Sequence, residues 1–176
     1  MAGPTASVLF AGTENDAQEL VYRARAACGD NAGTNEEFWL EGRPFLSAMG
    51  TEYPERLPEL VESGLPRLLE WMPEQAVTFA ALCNGAEDHR LLARLCLALC
   101  EETGGVVDFG GSLPFGPVLG RSARSDAIRV ANPKGLDGVL FATTYETVTG
   151  LFGTTHYGDA SLLRAWLEHP DFRMIK

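Results

Sequence analysis

Lysine is nearly missing from this chain. Two lysines among 176 residues leave arginine to supply almost all of the positive charge, and the formal net charge is −10. A nucleic-acid binder needs clustered Lys and Arg to neutralise phosphates and release their counterions, so no nucleic-acid partner is expected. No Gly-Lys dipeptide occurs, which excludes the phosphate-cradling P-loop. The three histidines, His89, His156 and His169, form no His-Glu-x-x-His, and the four cysteines form no Cys-x-x-Cys. Zinc would need three or four converging ligands, so neither a metal nor another cofactor is expected. No stretch approaches the ~20 apolar residues of a membrane span, so no membrane partner is expected either. The opening Met-Ala-Gly-Pro-Thr lacks the basic and apolar regions of a secretory signal. A cytoplasmic location with reduced thiols follows as the expectation.

What is present is the composition of an ordinary globular protein, 45% hydrophobic and 22% charged. A single α+β domain over 1–176 is expected, with a glycine-rich loop near 104–135 as the one place where it could subdivide. Charge is unevenly spread. Residues 1–102 hold 17 acids and 7 bases, whereas residues 103–176 hold 7 of each, so the whole excess lies in the first part. Within 36–74, nine glutamates face only Arg43, Arg56 and Arg67. An acidic face of this kind either solubilises the protein or steers a cationic protein toward it.

Periodicity predicts the elements. Val8–Phe10 reads as a strand, and Thr13 with Asp16 as the capping pair of a helix over 14–28. Phe38–Glu41 and Phe45–Met49 read as strands joined by a turn at Gly42, Arg43 and Pro44. Leucines 57, 60, 65, 68 and 69 keep a helical period broken at Gly64 and Pro66. Residues 75–83 read as a buried strand. Asn84 with Glu87 is the expected cap of the strongest helix, which ends at Gly104–Gly105 before a strand at 106–109. This β-α-β-β-α-β order suggests a ferredoxin-like first part within a mixed or mostly antiparallel sheet carrying packed helices. Beyond it the pattern gives a long loop with a short strand near 127–130, a hairpin over 138–156, a helix capped by Asp159 and a last strand over 172–175.

Chemical motifs fail on inspection. Asp108-Phe109-Gly110 spells a kinase metal-binding tripeptide but lacks its partner motifs. Gly110-Gly111-Ser112-Leu113-Pro114 and Gly120-Arg121-Ser122-Ala123-Arg124 both miss the final glycine of a nucleophile elbow. His156 and Asp159 are close enough in sequence for a local hydrogen bond. Cys96 and Cys100 share a helical face without a third ligand or an activating cation, which reads as core packing. With so many acids available, no particular pair is marked out for acid/base work.

The segments Gly3-Pro4-Thr5, Leu82-Cys83-Asn84, Gly104-Gly105-Val106-Val107-Asp108-Phe109 and Tyr157 through Lys176 together resemble a group of small, acidic, uncharacterised bacterial proteins. Proteins of this appearance look like the immunity proteins of bacterial toxin systems, which block a cognate toxin without performing chemistry. The resemblance thus implies a non-catalytic, antitoxin-like protein that occludes a basic partner such as a toxin domain. Contacts would come from Glu36, Glu37, Glu41, Glu52, Glu55, Glu59 and Glu62. Trp39 and Tyr53 are the nearest aromatic anchors, with a core position as the competing reading for Trp39. The alternative expectation is a small-molecule-binding domain or enzyme, with 104–120 as a flexible lid and Arg121, His156 and Asp159 near a pocket.

Overall fold

Strand alternation decides which side of each element is buried, and among the described residues it assembles eight strands into one sheet with five helices packed on its two faces. A computed structural model describes residues 3–29, 36–49, 53–120, 123–131 and 135–175, with the side chains of 53–57 outside that description. In chain order the elements are β1 (Thr5–Phe10), α1 (Glu14–Ala27), β2 (Glu37–Leu40), β3 (Arg43–Met49), α2 (Tyr53–Ser63), α3 (Leu65–Leu69), β4 (Gln75–Ala81), α4 (Ala86–Thr103), β5 (Val106–Asp108), β6 (Ile128–Val130), β7 (Leu140–Glu146), β8 (Phe152–Gly158) and α5 (Ala160–Leu167). The eight strands run β2-β3-β4-β1-β5-β8-β7-β6, every neighbouring pair antiparallel. The protein is therefore α+β.

One face of the sheet carries the main core. Val8 and Phe10 of β1, Phe38 and Leu40 of β2, Phe45 of β3 and Val77 and Phe79 of β4 meet Val21 of α1, Leu92 and Leu99 of α4 and Trp166 of α5. Each fully buried Leu or Phe there contributes roughly 1.5–3 kcal/mol relative to exposure. On the second face α2 and α3 form a smaller cluster, Leu60 and Leu65 against Leu9, Ala76, Val106, Phe141 and Tyr157.

The ferredoxin-like order is realised one element later than the sequence suggests. β1 is flanked by β4 and β5, so α4 and β5 complete the split unit beside α1. The segment expected to do so, α2 with α3, crosses the opposite face, because Leu60 and Leu65 find their apolar partners there.

Local chemistry explains most element ends. Thr13 and Asp16 form the expected reciprocal cap of α1. Gly104 ends α4 at φ 66°, as a left-handed C′ glycine should. The β2–β3 turn is Glu41–Gly42, with φ 49° and 75°, rather than Gly42–Pro44. Two positive φ values are what a two-residue hairpin turn requires, and they let Arg43 and Pro44 join β3. The α4 cap also shifts by one residue, to Gly85, whose N–H donates to Asp88 Oδ2 at 2.6 Å. The last strand expected over 172–175 is absent. Backbone groups of that segment bond to side chains instead, Arg173 O accepting from Trp166 Nε1 and Met174 N–H donating to His89 Nδ1.

Candidate interaction surface

The β2–β3 hairpin forms one edge of the sheet, and its alternation sorts the predicted contact residues. Phe38 and Leu40 point into the main core, so Glu37 and Trp39 must project from the second face. Trp39 is 56% exposed, which places it outside the core. Glu36 and Glu37 beside it are exposed too. Glu41, in the turn, reaches Arg94 Nη1 of α4 at 3.5 Å.

The remaining predicted acids lie elsewhere. Glu59 and Glu62 belong to α2, which packs against β7. Six strand positions separate β2 from β7, so at ~4.8 Å per strand the two groups are about 29 Å apart across the sheet. Glu59 Oε1 accepts the Glu146 N–H at 3.2 Å, and Glu62 pairs with Arg124. Tyr53 and Glu55 fall in the first turn of α2, where side chains are not described, and Glu52 lies outside the described residues. The acidic segment is thus split between two places, with an open stretch of sheet between them.

That open stretch went unread in the sequence. β3 presents Pro44, Leu46 and Ala48 to the second face, β4 presents Thr78 and Ala80, and Leu82 follows. Leu46 and Leu82 are exposed. Because the exposed set of β3 is wholly apolar while the core-facing set includes Arg43 and Ser47, alternation alone does not say which face is covered.

The residues of the small-molecule alternative are used structurally. His156 is fully buried on β8; its Nδ1 accepts the Leu113 N–H at 2.7 Å and its Nε2 lies 3.1 Å from Pro117 O. An acceptor at Nδ1 puts the proton on Nε2, so the ring is neutral, and burial holds its pKa below the ordinary value. Two threonines do similar work nearby. Thr154 Oγ1 accepts the Leu119 N–H at 2.9 Å, and Thr144 Oγ1 accepts the Ser125 N–H at 2.9 Å. Leu113, Leu119 and Ser125 of the segment after β5 are thereby bonded to side chains of β7 and β8. Asp159 caps α5 through Leu162 N–H at 2.8 Å and makes no bond to His156. Arg121 lies outside the described residues.

Two clefts remain. One of about 430 Å³ is lined by Asn84, His89, Ser112, Pro114 and Arg173, and another of about 370 Å³ by Glu59, Gly110, Tyr145, Glu146 and Thr155. Neither contains His156 or Asp159. Asp108 ends β5 as a buried turn former, Oδ1 accepting from Gly110 N–H and Thr155 Oγ1, each at 2.8 Å. Among the described residues no group of three His, Cys, Asp or Glu could hold a metal ion. Burial pushes the Cys28, Cys96 and Cys100 thiols up, away from the reactive thiolate. Among the described residues no helix is long and apolar enough to cross a membrane.

Fold and surface define an antiparallel α+β sheet protein whose first face is covered by helices and whose second face is partly bare. The chain belongs to the DUF6368 family, a family of unknown function, whose sequence model matches residues 2–176. No curated protein and no solved structure gives a significant match.

Proposed function

We propose that this is a non-catalytic, immunity-like binding protein of the cytoplasm that occludes a basic partner protein, of which a toxin domain is the type. The observation carrying the proposal is the exposed Trp39 on an edge strand that begins with the exposed Glu37 and that Glu36 precedes. Interfaces of high affinity combine a buried aromatic or Arg anchor with charges that steer the encounter. The net charge of −10, all of it arising in residues 1–102, supplies the steering field. Catalysis has weaker support, since His156 and Asp159 are consumed by a loop and a helix cap.

The test mixes the purified full chain with the product of the neighbouring gene. A stoichiometric complex that weakens steeply with salt is the expected result. Consumption of a substrate by the chain alone, or indifference of every interaction to Glu36→Gln with Glu37→Gln, would overturn the proposal.

A further inference from the structure

An antiparallel sheet face that meets water is normally polar, with its hydrophobic residues turned inward. The second face of this sheet breaks that rule at one end. Among the described residues, α2 and α3 cover Leu9, Ala76, Val106, Phe141 and Tyr157, and α2 contacts β7 while α3 contacts β6. Toward β2 the same face shows Trp39, Pro44, Leu46, Ala48 and Leu82, with Leu46 opposite both Glu37 and Ala80. Trp39, Leu46, Ala48 and Leu82 are exposed. Isolated exposed apolar residues need no explanation, but a contiguous set on three adjacent strands marks an interaction surface.

Resting on the function proposed above, we infer that this bare end of the second face is where the cationic protein partner docks, and that a partner arginine stacks on Trp39 while pairing with Glu37. Charge selects the occupant. Among the described residues of the patch Glu37 is the charged side chain, and Glu36 precedes it. Arg43 belongs to the other face, where it pairs with Asp88 at 2.9 Å. A second copy of this chain would bring the same carboxylates and another net charge of −10 against them. Geometry selects arginine. Glu37 and Trp39 lie two residues apart on one strand face, about 7 Å, a span that a planar guanidinium on an indole can bridge at its edge. Lysine offers a compact charge without the stacking plane.

The probe is a short amphipathic arginine/leucine peptide, with lysine/leucine and glutamate/leucine counterparts, titrated at low salt into the full chain and mapped by amide chemical shifts. The arginine peptide is expected to bind most tightly, shifting 37–48 and 78–82. Trp39→Ala should weaken it about tenfold or more, as loss of an interface anchor does. Leu46→Asn should also weaken it. Leu151→Ala, equally exposed at 56% but in the β7–β8 turn, should change nothing. Thermal unfolding of each variant checks that the fold survives. Salt-sensitive binding that ignores Trp39→Ala and Leu46→Asn, or equal binding of the lysine peptide, overturns this docking assignment and leaves the basic-partner proposal standing. No binding of either cationic peptide overturns both.

Discussion

His156 holds the backbone of Leu113: the buried imidazole accepts that N–H at 2.7 Å, and the same ring meets Pro117 O through its other nitrogen. Protonation of Nδ1 would set two N–H groups against each other, so the folded state keeps the ring neutral and its pKa below the usual 6.5. Between the folded value and 6.5 the unfolded chain binds the extra proton and the folded chain does not. This contribution to stability is thus complete above about 6.5 and declines as pH falls through that window. Urea unfolding at several pH values should show the decline. His156→Asn, which retains an acceptor but cannot titrate, should flatten the slope between about pH 6.5 and the folded value. An unchanged slope in the variant would show that His156 is not its source.

The same ring leaves no room for a side chain at Gly116. A Cβ there would stand 2.6 Å from Nε2 and 2.8 Å from Nδ1 of His156, inside van der Waals contact. Gly116→Ala must displace the loop or the imidazole, at a cost of about 1–3 kcal/mol from overpacking. Gly120, four residues on, has nothing within 4 Å of its Cβ position, and Gly120→Ala should be within about 0.5 kcal/mol of wild type. Parallel denaturation of the two variants tests the difference. Equal stabilities would contradict the packing described here.

Much of the fold follows from local chemistry that a sequence displays. The Thr13–Asp16 cap, the Gly104 stop and the Asp159 cap each depend on residues within four positions of one another. The surface was less legible, because it depends on which side of the sheet a segment crosses. Nothing local to Leu60 and Leu65 says that their partners are Val106 and Phe141, and so nothing local uncovers Trp39. The β3 pattern misleads in the same way, since Pro44, Leu46 and Ala48 are all apolar while the alternate set, with Phe45 and Ser47 buried, includes polar residues. His156 was visible as a residue but not as a clamp, since its partners lie 39 and 43 positions away.

Arg43 and Asp88 join the hairpin to α4. Asp88 is completely buried, receiving Arg43 Nη1 at 2.9 Å on one oxygen and the Gly85 N–H at 2.6 Å on the other. Asp88→Ala removes both bonds and uncaps the helix, for an expected loss of about 2–4 kcal/mol. Arg43→Ala should be milder than Asp88→Ala, because Asp88 retains the Gly85 donor. Thermal unfolding of both single variants and the double variant measures the coupling. Strict additivity would mean that the two residues do not act as a pair.

The four cysteines should separate by burial when the native protein meets an aromatic disulfide reagent. None is in a disulfide; Cys83 is exposed, Cys28 is half-buried, and Cys96 and Cys100 are enclosed within α4. The thiolate is the attacking species, and desolvation disfavours it at Cys28, Cys96 and Cys100. One thiol should therefore react quickly, and Cys83→Ser should abolish that fast phase. Cys28 should follow slowly. Cys96 and Cys100 should react only on unfolding, so their rate under mild denaturant reports the opening of the α4 core. A fast phase that survives Cys83→Ser would require Cys28 or the α4 pair to be reachable in the native fold, and the core as packed here would then be wrong at that point.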